Sequence, residues 1–152
     1  MGELGTPLAT VERAPLIRRG VTRMFTTLGA AVLVEMPLAN GRRADVVALE
    51  RDGRLTVVEI KSGLADLRAD RKWQDYLAFA DRFFFAVDAD FPLHRLPDEV
   101  GILVADAFEA TPVRDAPLTP LAPARRKAMT LRFARTAATR LTGLLDPEGR
   151  MG

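Results

Sequence analysis

Two acidic residues and one lysine on neighbouring predicted strands have the types and the spacing to do chemistry. Glu59 and Lys61 are two positions apart in an apolar run, so on a β-strand their side chains project from the same face. Asp45 lies among apolar neighbours on the preceding predicted strand. Charged groups in such surroundings are costly to bury unless they pair or bind a metal ion. These three residues therefore form a candidate active site.

The two turns between the strands decide whether the acids meet. A three-residue loop at 51–53, with its glycine in the left-handed conformation, places Asp45 opposite Glu59, whereas a two-residue Asp-Gly turn places them on opposite faces. A three-residue loop at 39–41 likewise sets Glu35 opposite Asp45. With both loops of that kind, three carboxylates form a row. Their mutual repulsion would be relieved by a divalent cation.

The chemistry that this arrangement favours is metal-assisted hydrolysis of phosphodiester bonds. Asp45, Glu59 and the backbone carbonyl of Ile60 would hold Mg²⁺, or Mn²⁺ in its place, which activates a water molecule and neutralises charge on the phosphate. Lys61 would orient that water or help to deprotonate it, and would stabilise the developing negative charge. The alternative is a plain salt bridge between Lys61 and a neighbouring acid.

The composition excludes several other kinds of site. The chain has no cysteine and one histidine, His94, so thiolate metal sites are excluded, and a zinc site or a nucleophile–histidine pair has little support. No run of about 18 to 20 apolar residues predicts a membrane span. No basic-then-apolar leader is evident, so the expected location is the cytoplasm.

Charge is distributed unevenly along the chain, although the formal net charge is only +2. Residues 114–152 carry eight basic and three acidic side chains, while the remaining 113 residues carry fourteen basic and seventeen acidic ones. A basic C-terminal segment beside an acidic centre is consistent with a polyanion partner and a carboxylate metal site. A solvated helix face gives the same pattern, so charge alone does not decide between them.

The elements that must position these residues follow from periodicity and turn signals. The predicted order, αβββαβ with a further strand and helix, indicates one α/β domain over residues 14–145 after an irregular segment, 1–13. Pro15 is expected to open the first helix and Gly29 to end it. The other predicted elements are strands 31–36, 44–49 and 55–61, helix 66–81, strands 83–87 and 100–105, a proline-punctuated stretch 111–123, and helix 124–145.

The segment RRADVVALERDGRLTVVEIKSG resembles the core of PD-(D/E)XK nucleases, in which an Asp ends one strand and an E-x-K sequence ends the next. Over roughly residues 30–140 the chain is also similar to the MmcB-like bacterial DNA-repair proteins. The segments that carry this likeness are GRRADVVAL, VVEIKSG, ADRKWQDY, ADRFFFAVDADFP, GILVADAFEA and RRKAMTLRFAR.

The resemblance implies a restriction-endonuclease-like fold, with a mixed central sheet flanked by helices, and an endonuclease that acts on branched or cross-link-damaged DNA during repair. Asp45, Glu59 and Lys61 carry over directly to the family pattern. A further acid often comes from the first helix in this superfamily. Here Glu12 precedes the predicted helix, so Glu35 is the preferred candidate and Glu12 the alternative.

The resemblance also suggests residues that contact nucleic acid. Lys72 and Gln74, on the helix after the E-x-K strand, are candidates near the metal, although an exposed helix position explains Gln74 equally well. Arg42 and Arg43 could contact a phosphate or cap the hairpin. The predicted contacts on the C-terminal helix are Arg125, Arg126 and Lys127.

A second hypothesis is a nuclease fold used as a DNA-binding or recruitment module, with weak or absent cleavage. The basic C-terminal helix and the missing helical acid motivate it. In either case the expected partner is DNA, with a homodimer possible by analogy between folds alone and no membrane association.

Overall fold

A computed structural model describes residues 10–149 of the chain. In chain order the main elements are α1 (Thr10–Thr27), β1 (Ala31–Pro37), β2 (Arg43–Leu49), β3 (Leu55–Ile60), α2 (Leu64–Ala69), a 3₁₀ helix (Trp73–Phe79), β4 (Arg82–Val87), β5 (Gly101–Ala105), β6 (Ala110–Arg114) and α3 (Pro123–Leu145). The predicted α/β class, with a mixed sheet flanked by helices, is confirmed.

The six strands form one sheet in the order β1-β2-β3-β4-β5-β6. The β1–β2, β2–β3 and β5–β6 pairs are antiparallel, whereas β3, β4 and β5 run parallel to one another. Parallel strands require crossover connections. The crossover between β3 and β4 contains α2 and the 3₁₀ helix. The carboxyl end of β3, where the candidate site lies, is therefore followed directly by α2.

Helices cover both faces of the sheet, which is why β3 is buried along its whole length. On one face α1 contributes Ile17, Val21 and Phe25 to an apolar cluster with alternate strand residues. On the other face the 3₁₀ helix and α3 pack on the remaining strand residues, with Met129 and Phe133 as the buried residues of α3. Within residues 10–149, no helix has both the length and the apolar composition that crossing a bilayer requires.

Both hairpin loops have three residues, which is the turn type that places Asp45 opposite Glu59; the sequence had left this type and the two-residue turn open. The Leu38 N–H donates to the Arg42 carbonyl over 2.7 Å, and the Glu50 N–H donates to the Arg54 carbonyl over 2.8 Å. The glycines that close the loops, at positions 41 and 53, have φ values of +84° and +89°. Only glycine adopts this left-handed conformation at little cost, so these two residues set the register of three strands.

Three predicted boundaries are wrong. Helix α1 begins at Thr10, so Pro15 lies in its second turn and residues 10–13 are helical, while 1–9 lie outside the described residues. The predicted helix 66–81 ends at Ala69 and is followed by the separate 3₁₀ helix. The proline-punctuated stretch predicted at 111–123 contains most of a sixth strand, β6, which was not predicted. An edge strand tolerates the proline inside β6, since its unpaired side needs no N–H.

Candidate active site

Asp45 and Glu59 lie side by side at the point where β2 and β3 separate. The regular ladder between these strands extends to the pair Val46–Val58. Beyond it, the Asp45 N–H donates to Glu59 Oε1 over 2.9 Å, and the Ile60 N–H donates to Asp45 Oδ2 over 2.8 Å. Each carboxylate thus binds the backbone of the opposite strand. The two acids are brought together in the register that the three-residue loops require.

Burial and mutual repulsion both disfavour the ionised form of the paired carboxylates. Glu59 is 6% exposed, and burial together with the neighbouring Asp45 charge raises the pKa of Glu59 from its usual 4.5 to about 9. Burial also raises the pKa of Asp45, although hydrogen bonds from Ile60 and Glu59 oppose the change. Two ionised carboxylates are therefore costly at this position without a nearby positive charge.

Lys61 is buried close to the pair, but its ammonium group binds two other acids. Lys61 Nζ lies 2.8 Å from Asp70 Oδ2 and 3.8 Å from Asp66 Oδ1. Asp66 also accepts hydrogen bonds from the Ser62 N–H and hydroxyl. The salt bridge that the sequence left open as an alternative is thus present. It does not exclude a chemical role, since Lys61 also lines the cleft that contains Asp45 and Glu59.

Asp66 was not predicted to belong to the site, and Asp70 was not assigned a role in it. They are four positions apart, the spacing that places two side chains on one face of a helical turn, and they follow the E-x-K strand directly. Burial would raise the pKa of Asp70, but hydrogen bonds from Lys61 and the Lys72 N–H lower it below its usual value. That spacing was a signal from which they could have been found.

The cleft has a volume of about 390 Å³ and is open to solvent. Residues from α1 form one wall and the strand ends form the other. Its lining residues are Ala14, Pro15, Arg18, Glu35, Asp45, Glu59, Ile60, Lys61 and Asp66. Glu12, the alternative fourth acid, lies in the first turn of α1 and does not belong to this lining.

Glu35 lines the cleft but does not join the acidic pair. Its φ of +50° interrupts the alternation of side chains along β1. Leu33 and Met36 therefore pack in the same apolar cluster, although a regular strand would place them on opposite faces. The Glu35 carboxylate lies 3.6 Å from the Arg18 guanidinium. Among residues 10–149, no three acidic or histidine side chains gather closely enough to hold an ion between them. The predicted row of three carboxylates does not form.

A family model described as "DNA repair protein MmcB-like" matches residues 6–148. The chain belongs to the MmcB-like family. Among solved structures, it is similar to the "SPO1766 protein of unknown function from Silicibacter pomeroyi", with 46% identity and a TM-score of 0.87, over 96% of this chain and 98% of that one. No protein with a curated description matches significantly. Family membership supports a role in DNA repair and contact with DNA.

In this MmcB-like chain, some of the residues predicted to contact nucleic acid near the cleft are exposed, and one is paired with an acid. Lys72 and Gln74 are exposed around the start of the 3₁₀ helix. Arg42 is paired with Asp75 over 3.3 Å. Arg43 is exposed, and its carbonyl accepts the Tyr76 hydroxyl over 3.2 Å.

Tyr76 and Trp73 are core residues. Both are buried against the sheet, where Trp73 stacks on Phe83 with a ring separation of 5.9 Å. Burial, together with the Glu59 and Asp45 charges, raises the pKa of Tyr76, so this hydroxyl stays neutral beside the acidic pair. Neither ring is presented to a DNA base. His94 is exposed.

On α3 the three predicted contacts have different roles in the MmcB-like fold. Lys127 is exposed, and the Arg125 guanidinium lies 4.7 Å from the centre of the Phe79 ring. Arg126 instead donates hydrogen bonds to Asp81, at 2.7 Å from Oδ2, and to the Gly53 carbonyl at 2.9 Å. Asp81 is only 1% exposed, so Arg126 neutralises a buried charge. It is committed to the fold and is not available as the sequence pattern predicted.

Proposed function

We propose that this protein hydrolyses phosphodiester bonds in DNA during repair, with the help of Mg²⁺ or Mn²⁺. The observation that carries the proposal is the pairing of the buried Glu59 carboxylate with the half-buried Asp45 carboxylate, in one cleft with the Lys61 ammonium. Paired acids on adjacent strands and a nearby lysine are the groups that metal-assisted phosphoryl chemistry needs. Branched or cross-link-damaged DNA is the substrate that the family resemblance favours.

The residues present fit a hard divalent cation. Each carboxylate engages the opposite backbone through one oxygen, so its second oxygen would be the ligand atom. Ile60 lines the same cleft, and its carbonyl would complete the predicted ligand set. Mg²⁺ typically binds one or two carboxylates and keeps several waters, so a third acid is not required. A cation here would also relieve the repulsion that raises the pKa of Glu59. When bound, it would activate water and neutralise phosphate charge.

The side chains around the pair have separate tasks in this proposal. Asp70 and Asp66 hold the Lys61 ammonium in place, from where it can orient a water molecule and stabilise negative charge on a phosphate. Arg18 lines the same cleft from α1 and offers a guanidinium to a phosphate oxygen. Its pairing with Glu35 keeps that guanidinium at the cleft wall. We assign Glu35 this positioning task in place of the position in an acidic row that the sequence predicted for it.

A cleavage assay with end-labelled nicked, forked and four-way DNA tests the proposal. Asp45→Asn, Glu59→Gln and Lys61→Met should each reduce Mg²⁺-dependent cleavage by about 100-fold or more, because each removes a group that acts on the reacting phosphate. Glu99→Gln, which changes an exposed acid outside the cleft, is the matched control and should cleave like the wild type. Equal cleavage by all five proteins would identify a contaminating nuclease and refute the proposal.

One observation favours a second candidate, a nuclease fold that binds DNA but cleaves weakly. The described residues bring only two acids into direct contact at the site, and Glu35 is paired elsewhere. This candidate predicts that wild-type protein binds the same DNA in EDTA as in Mg²⁺, and that neither Mg²⁺ nor Mn²⁺ supports cleavage above the level of Glu59→Gln.

A further inference from the structure

We infer that a groove on α3 binds the sugar-phosphate backbone of a DNA strand outside the cleft. The groove has a volume of about 610 Å³ and is lined by three arginines, Arg125, Arg132 and Arg135. The exposed Ala128 and the largely buried Met129 add apolar side chains to the same lining. Among the described residues that line it, none is acidic. The groove therefore combines positive charge with a surface on which sugars and bases can lie.

The spacing of the arginines suits a polyanion with a regular charge repeat. At a rise of about 1.5 Å per residue, Arg132 lies about 10.5 Å along the helix from Arg125, and Arg135 lies about 4.5 Å further. One strand of B-DNA presents a phosphate about every 3.4 Å along its axis, so the three side chains span roughly four to five phosphates. Guanidinium groups bind phosphate oxygens through two parallel hydrogen bonds, which favours this occupant over a neutral chain.

Side-chain contacts at two points attach the helix that carries the groove to the rest of the fold, so the backbone that bears its arginines is held in place. Near its N-terminus Arg126 is bound to the buried Asp81. Further along, the Arg140 guanidinium donates to the carbonyl oxygens of Val34 and Glu35 on β1. Glu35 also lines the cleft, so β1 contacts both the cleft and the helix that carries the groove. The inference rests on the DNA contact in the proposed function but does not depend on cleavage.

Substitutions at Ala128 test the groove without removing any arginine. Ala128 is an exposed helix position, and glutamate and lysine are both good helix formers, so Ala128→Glu and Ala128→Lys form a matched pair. The assay is fluorescence anisotropy of the full chain with fluorescein-labelled 20-nucleotide DNA, single-stranded and duplex, in EDTA. We expect Ala128→Glu to weaken binding about tenfold and Ala128→Lys to strengthen it. Equal affinity of the two variants would overturn the inference.

A second comparison measures the contacts themselves. A plot of log affinity against log salt has a negative slope. The double variant Arg132→Gln/Arg135→Gln should make this slope less negative by about 1.4 to 1.8, because each lost phosphate contact contributes about 0.7 to 0.9. Arg23→Gln/Arg95→Gln removes the same charge from exposed positions elsewhere and should change affinity less than threefold. Equal effects of the two double variants would overturn the inference, since charge alone would then explain binding.

Two further outcomes separate the groove from its competitors. If poly-glutamate displaces labelled DNA as well as unlabelled DNA does at equal charge, the groove is a site for acidic proteins and the inference fails. If the groove variants lose binding while the wild-type protein binds DNA but does not cleave it, the groove stands and the proposed hydrolysis fails. If cleavage depends on Asp45 while DNA binding is unchanged in the groove variants, the hydrolysis stands and the groove fails.

Discussion

The Asp45 and Glu59 carboxylates each accept a hydrogen bond from the backbone of the opposite strand, which fixes them next to each other. Hydrogen bonds of this kind favour the ionised form, but burial and the like charge outweigh them at Glu59. Without a cation, the pair lowers its energy by taking up a proton. The pH dependence of stability therefore reports on this pair directly.

We predict that Glu59→Gln makes stability in EDTA less sensitive to pH between about 5 and 9. Because the pKa of Glu59 is raised from 4.5 to about 9 on folding, its contribution is fully present below 4.5 and is lost as pH rises to about 9. Wild-type stability should thus fall by several kcal/mol more than that of the variant over this range, since each unit of pKa difference corresponds to about 1.4 kcal/mol. Urea denaturation at pH 5, 7 and 9 measures the difference. Parallel curves for the two proteins would contradict it.

Some contacts of the site residues follow from the sequence and others do not. The pairing of Asp45 with Glu59 depends on strand alternation and two glycine loops, which are local properties that the sequence displays. The partners of Lys61 depend on how α2 turns back over the end of β3, which no local pattern specifies. The predicted position of Glu35 beside Asp45 is wrong for a related reason, since its positive φ breaks the side-chain alternation on which that prediction was based.

Asp81 connects several elements at the other end of the sheet. Its carboxylate accepts the N–H groups of Leu55, at the start of β3, and Leu121, just before α3, and it also binds Arg126 within α3. Although burial would raise the pKa of Asp81, these partners lower it below its usual value of 3.8. One buried carboxylate thus fastens α3 to the sheet and fixes where that helix begins.

We predict that Asp81→Asn lowers the free energy of unfolding by about 3 kcal/mol at pH 7, because it leaves Arg126 without its buried partner. A carboxylate with a lowered pKa stabilises the fold above pH 3.8, and this contribution is lost as pH falls through the lowered pKa. The deficit of the variant should therefore shrink at pH 3. Urea denaturation at pH 7, 5 and 3 measures it, with the exposed acid in Asp98→Asn as control. A deficit that stays constant across this range would refute the linkage.

The elements that were predicted least well are those whose conformation depends on neighbours. The chain after α2 bends at Asp70, where the side chain accepts the Lys72 N–H and competes with continued helix. Trp73, Tyr76 and Phe79 are buried against the sheet from a 3₁₀ helix, where a continuous α-helix was predicted. Strand β6 has little apolar patterning of its own, and its pairing with β5 determines it.

At the scale of the whole molecule, one sheet separates two apolar clusters. The cluster on the α1 side contains Val21 and Val58, and the cluster on the α3 side contains Trp73 and Val57. Adjacent residues of β3 therefore contribute to different clusters. Because the same strands carry both sets of contacts, neither cluster can be lost while the other keeps its support.

We predict that both faces of the sheet unfold in one transition. The chain has a single tryptophan, so fluorescence reports the α3-side cluster, whereas far-UV circular dichroism reports all helices. Val21→Ala removes buried methyl groups on the α1 side and should destabilise the protein by about 2 kcal/mol. Both probes should then shift to the same lower urea midpoint. A shift in circular dichroism alone would show that the clusters unfold independently.

The central claim is that Asp45 and Glu59 together bind a divalent cation, and a crystal soaked in Mn²⁺ tests it most directly. We predict one anomalous difference peak in the cleft, with an oxygen atom from each of these two carboxylates in its coordination shell, and no such peak in a soaked Asp45→Asn crystal. An ordered cleft with no peak at high Mn²⁺ concentration, or a peak bound by other residues, would contradict the claim.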